Sequence, residues 1–152
     1  MLLSDMISKQ RVIFAEQFAD WRSAVHHACS VLLADGSIQP AYVQAIIDSI
    51  EKHGAYIVIA PDIAMPHAQG NAETVARSVV SFMKVERPVI FDADDRSKDA
   101  RLFFTLAAQD SNSHLENMAA LTEMLDNEAL IADLLAANQI DDLRRICAQY
   151  HI

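Results

Sequence analysis

Apolar side chains at Trp21, Ala24, Val25, Ala28, Val31 and Leu32 recur with the spacing of one helical face, and Asp35-Gly36 ends the run. The same spacing returns at Val43, Ile46, Ile47 and Ile50, in a segment opened by Pro40 and closed by Gly54. Two helices are predicted here. Residues 11–18 ahead of them mix apolar and polar positions and read as a first strand.

The pattern then changes. Tyr56-Ile57-Val58-Ile59-Ala60 is a short continuous apolar run, as in a strand covered on both faces. A polar stretch at 70–76 predicts one or two helical turns, and 78–85 predicts another strand. Val89 to Phe91 suggests a short edge, and 101–108 a third clear strand. The carboxy-terminal third is helical, with stripes at Leu115, Met118, Ala119, Thr122 and Leu125, then Leu130, Ile131, Leu134 and Leu135, then Ile140, Leu143, Ile146, Cys147 and Tyr150. Helices before, between and after strands imply an α/β sandwich around a central sheet. Strand order does not follow from the pattern.

Composition narrows the possibilities. The 152 residues suit one domain spanning 1–152, and 52% hydrophobic with 22% charged residues is a globular balance. A net charge of −9 with no basic run argues against nucleic acid and suits an electropositive protein partner. Residues 1–5 lack a charged region leading into a long apolar segment, and no stretch approaches the ~20 apolar residues of a bilayer span. Direct membrane insertion is therefore not expected, and a soluble cytoplasmic protein is. The two cysteines, Cys29 and Cys147, sit at helical spacing among apolar residues and form no CxxC pair, so buried thiols are expected.

With three scattered glycines the chain has no GxGxxG and no Walker loop, and it also lacks HExxH and GxSxG. No cofactor is implied. Histidine is left as the candidate reactive group. Of the six, His26, His27, His53 and His151 read as helix-surface or terminal residues. His67 differs: it follows Pro66 directly, and proline stiffens both its own φ and the residue before it. His114 differs too, because Ser113-His114-Leu115-Glu116 reads as a capping box with Ser113 as N-cap. That would put His114 in a first helical turn, where the dipole keeps it neutral and free N–H groups favour a phosphate.

Both histidines are predicted at carboxyl ends of strands, His67 after 56–60 and His114 after 101–108, where α/β folds gather ligands. If the strands are near neighbours, one imidazole can act as nucleophile and the other can hydrogen-bond the transferred group, a phosphohistidine site. A zinc site would need a third ligand, and none stands at a recognisable spacing. The acidic cluster Asp92-Ala93-Asp94-Asp95 lacks a calcium loop's glycine and reads as a solvated turn.

The stretch His53-Gly54-Ala55-Tyr56-Ile57-Val58-Ile59-Ala60-Pro61-Asp62-Ile63-Ala64-Met65-Pro66-His67-Ala68 resembles the active-site segment of enzyme IIA components of the bacterial sugar phosphotransferase system, of the mannitol/fructose type. It looks closest to the ascorbate-type branch, in which an alanine-proline pair precedes an A-M-P-H-A core. The resemblance covers nearly the whole chain and includes His114-Leu115-Glu116. It implies a mixed sheet flanked by helices on both faces. It implies a phosphotransferase that accepts a phosphoryl group from phospho-HPr on His67, assisted by His114, and passes it to a cysteine of enzyme IIB. The membrane component IIC would be served only indirectly, for uptake of L-ascorbate or a related sugar derivative. The arginine that mannitol-type members carry upstream is replaced by Glu51, and the one after the ascorbate-type core by Gln69, so no arginine is carried over. A regulatory module sensed in its phosphorylated state would use the same histidines. A hydrolase would need a water-activating carboxylate beside His67, and none stands at a telling spacing.

Overall fold

The computed structural model describes residues 2–152; Met1, among the opening residues considered above, lies outside them. In chain order the elements are α1 (Leu2–Ser8), β1 (Val12–Ala15), α2 (Trp21–Ala34), α3 (Pro40–His53), β2 (Val58–Ala60), β3 (Asp62–Ala64), β4 (Val79–Val89), β5 (Ala100–Ala107), α4 (Ser111–Leu125), α5 (Glu128–Ala136) and α6 (Ile140–Tyr150). They form one α/β domain.

Alternation along β4 and β5 sets the layers. Val80, Phe82, Leu102, Phe104 and Leu106 enter one core, while Val79, Met83, Val85, Phe103 and Ala107 enter the other. Both faces are apolar because both are covered. Helices α2 and α3 close the second core; α1, α4, α5 and α6 close the first. The five strands run in the order β1-β4-β5-β3-β2, with β1 parallel to β4, β4 antiparallel to β5, β3 parallel to β5, and β2 antiparallel to β3. The sheet is mixed.

Several predicted elements change where local chemistry outweighs periodicity. The 56–60 run contributes only Val58–Ala60, because the Tyr56 and Val58 N–H groups bond back to Gly54 and Ala55 in a turn. Pro61 and Asp62, at φ 68°, then reverse the chain at once into β3, a strand the pattern did not show. An aspartate tolerates this left-handed position better than most residues. The 70–76 stretch is not helix but a capped turn, with Asn71 Oδ1 accepting from the Glu73 and Thr74 N–H groups. Val89 ends β4 rather than starting a separate edge. Phe91 leaves the sheet and stacks on Trp21.

Helix α1 was not legible at all, since its buried side chains are only Leu3 and Met6. In α4 the buried face is Leu121, Met124 and Leu125, while Leu115, read as part of the stripe, is 64% exposed. Cys29 is buried in one core, which pushes its thiol up to about 12, while the partly exposed Cys147 packs against the other. The sheet separates them. Among the described residues, no helix is long and apolar enough to cross a membrane.

Candidate functional site

Because β3 and β5 are adjacent and parallel, their carboxyl ends emerge side by side. His67 follows β3, not the 56–60 strand, which runs the other way. The ladder continues past β3: the Met65 N–H donates to Ile57 O at 2.7 Å, and the Leu106 N–H to Pro66 O at 3.0 Å. A parallel ladder would next join the Ala68 N–H to Leu106 O. That rung is opened. The Tyr42 hydroxyl, fully buried on α3, stands in it, donating to Leu106 O at 2.7 Å and accepting from the Ala68 N–H at 3.2 Å. The chain then crosses β5 closely at Gly70, where a Cβ would lie 2.3 Å from the Ala108 carbonyl oxygen. Only glycine fits there.

These contacts fix His67. Its Nδ1 lies 2.5 Å from the Met65 carbonyl oxygen, which can only accept, so Nδ1 carries the proton and Nε2 presents a lone pair. The Tyr56 hydroxyl donates to the His67 carbonyl at 2.6 Å, and the Tyr56 ring meets the imidazole edge-on, centroids 5.3 Å apart.

His114 arrives from β5. The predicted capping box is replaced by a cap three residues earlier: Asp110 is the N-cap, its carboxylate accepting from the Ser113 N–H at 2.8 Å. Asp, Ser, Asn and Ser occur in succession here, all competent caps, and the end of β5 selects the first. His114 therefore closes the first turn, its N–H bonded to Asp110 O at 3.2 Å. Its ring centroid lies 5.4 Å from that of His67. Burial, and then the charge of nearby His67, hold His114 below the ordinary imidazole value. It therefore favours the neutral form, the state expected from the dipole, but chiefly through desolvation.

The two imidazoles share a cleft of about 790 Å³, also lined by Ser49, His53, Tyr56, Gln69, Asp110 and Leu115. No lysine or arginine is among its lining residues. Glu51, which stands at the upstream position considered above, pairs instead with Arg22 at 2.9 Å. Such a cleft offers a fixed nitrogen nucleophile, a neutral neighbouring donor and an apolar rim at Leu115, which suits group transfer between proteins.

The sequence matches the family described as phosphoenolpyruvate-dependent sugar phosphotransferase system, EIIA 2, over residues 5–150. The chain belongs to this family. It is 31% identical over 149 residues to the mannitol-specific cryptic phosphotransferase enzyme IIA component of Escherichia coli K12, covering 98% of this chain and 99% of that one. It is 35% identical over 117 residues to the ascorbate-specific PTS system EIIA component of the same strain, covering 76% and 75%. Among solved structures, the mannitol enzyme IIA of Escherichia coli in complex with phosphorylated enzyme IIB superposes with a TM-score of 0.78 at 26% identity, over 92% of this chain and 95% of that one. As an EIIA protein the chain is a phosphotransfer component, and its mixed sheet with helices on both faces is the fold of that family.

The cleft and the segments that support it also include residues that the sequence did not single out. His53 was assigned to a helix surface, yet it lines the cleft and meets Tyr56 edge-on at 6.5 Å. Its position in the same run as His67, just before Gly54, was the available signal. Tyr42 and Asp110 carried none, since their roles depend on the packing of α3 and the end of β5.

Proposed function

We propose that this EIIA protein carries a phosphoryl group on Nε2 of His67, taken from phospho-HPr and delivered to a cysteine of enzyme IIB. The observation that carries this reading is the Met65 carbonyl on Nδ1, which leaves Nε2 as the one available nucleophilic nitrogen. The Nε2 lone pair attacks phosphorus in line. The bond from phosphorus to the donor's imidazole nitrogen breaks, and its electron pair returns to that ring. The Nδ1 proton stays on His67, held by Met65, so the phosphorylated ring bears a positive charge shared with that carbonyl. His114, 5.4 Å away between ring centroids, donates one N–H to the phosphoryl oxygens. Delivery to IIB reverses the geometry, with a thiolate as the incoming nucleophile. Catalysis on this account is positioning and electrostatics.

The net charge of −9 and the exposed Leu115 at the cleft rim support docking of a basic, partly apolar donor. For the transported compound we favour L-ascorbate or a related sugar derivative, on the strength of the Ala60-Pro61 pair before Ala64-Met65-Pro66-His67-Ala68. The protein incubated with phosphoenolpyruvate, enzyme I and HPr should acquire acid-labile phosphate, lost in His67→Ala and slowed in His114→Ala. Labelling of His67→Ala at the wild-type rate sinks the proposal. Rapid transfer from the labelled protein to an ascorbate-type IIB but not a mannitol-type IIB supports the sugar reading. Failure to discharge to any IIB points to a regulatory module instead.

A further inference from the structure

A transferred phosphoryl group brings about two negative charges into the cleft. The groups lining it include the Asp110 carboxylate and no lysine or arginine, and burial keeps His114 from taking up a proton readily. The positive charge of the phosphorylated His67 ring offsets part of this, and the remainder has to come from another side chain. His53 is the remaining imidazole in the lining, placed at the last position of α3 with Lys52 before it. The carbonyl end of a helix favours a cation there. His53 is exposed, and the ring it meets is Tyr56, which in turn meets His67 edge-on. The three aromatic rings line one wall in the order His53, Tyr56, His67.

We infer that His53 is the cationic contact of the phosphoryl group in this cleft, dividing the work with His114: the neutral imidazole donates a single hydrogen bond and the protonated one supplies the charge. The inference rests on the carrier reading of His67. The ring that meets His53 is Tyr56, from the segment before β2; Asp110, His114 and His67 line the same cleft, and on its own helix Glu51 is engaged by Arg22. Asp110 is the one carboxylate in the lining. Tyr56 contributes no charge near neutral pH, because burial raises its phenol further above the usual value.

The test is the rate of labelling by phosphoenolpyruvate, enzyme I and a fixed amount of HPr, followed between about pH 6 and pH 8.5, where an imidazole loses its charge. Wild type, His53→Gln and His53→Lys are compared, with urea unfolding of each as the structural control. Wild type should slow as pH rises. His53→Gln should be about tenfold slower at the acid end, as loss of one charged contact implies, and nearly flat with pH. His53→Lys, whose charge persists through the range, should restore much of the rate and keep it at high pH. A structural role for His53 would move none of these pH dependences. Equal rates for His53→Gln and wild type at every pH overturn the inference and leave His67 as the carrier. So does a slow His53→Gln that His53→Lys fails to rescue. A wild-type protein that takes no label overturns the carrier reading and this inference with it.

Discussion

Replacing Tyr42 with phenylalanine removes one oxygen from a rung of the sheet. The hydroxyl donates to Leu106 O at 2.7 Å and accepts from the Ala68 N–H at 3.2 Å, and the residue is 0% exposed. Each enclosed polar group left without a partner costs about 1–3 kcal/mol. The two orphans face each other across the open rung, however, and closing it directly would return about 1 kcal/mol. The net expectation is a loss of about 2 kcal/mol, which for a chain of this size lowers the thermal midpoint by roughly 4–8 °C. Closure would also draw Ala68 and His67 toward β5 and disturb the 2.5 Å contact between Nδ1 and Met65 O, so labelling should slow as well. Urea unfolding followed by the fluorescence of Trp21, the single tryptophan, measures the first effect. Labelling through HPr measures the second. A variant within about 0.5 kcal/mol of wild type that also labels at the same rate would refute the bridging role, because deletion of a used buried hydroxyl cannot be silent.

Four further outcomes are expected. Gly70→Ala should destabilise by about 1–3 kcal/mol, since its Cβ would lie 2.3 Å from the Ala108 carbonyl oxygen and the loop must move; calorimetry checks it. Asp110→Ala should lose about 1 kcal/mol with the Ser113 cap, while Asp110→Asn should keep the cap and its stability, as urea midpoints will report. His114 is held low in the fold, so the unfolded chain takes up its proton first. The stability its neutral form contributes above about pH 6.5 is therefore lost as pH falls through the lowered value, and urea midpoints of His114→Gln should fall less steeply on acidification than those of wild type. The phosphorylated protein should show its phosphorus on Nε2 of His67 and a His114 titration shifted upward by the new negative charge, both visible by nuclear magnetic resonance.

Much of the architecture was legible because apolar periodicity is strong where a whole helix face or strand is buried. Helices α2 and α3 matched their sequence signals to within a residue or two for that reason, helped by Asp35-Gly36, Pro40 and Gly54. The short elements were not legible. Helix α1 buries two side chains, and β3 is three residues long, too little for any period to register. Their absence mattered for the site, because β3 is the strand that sets His67 beside β5. The sequence singled out two imidazoles, which the fold brings into one cleft, and the proline before His67, but it attached His67 to the wrong strand and capped the His114 helix three residues late. Local signals named the groups; long-range pairing decided where they stand. His53 was passed over because nothing local distinguishes an imidazole that ends a helix in open solvent from one that ends it at the mouth of a cleft.

The opened rung between β3 and β5 also decides when in its life the molecule can work. An unfolded chain carries His67 as an ordinary imidazole whose proton hops between nitrogens. In the fold, the segment that holds Nδ1 against Met65 O is docked along β5, a pairing of parts distant in sequence that must overcome chain entropy before its contacts form. Nascent, misfolded or heat-damaged copies thus present no oriented acceptor. On the carrier proposal, the donor's phosphoryl groups would be reserved for finished molecules, and labelling would serve as a native assay of sheet closure.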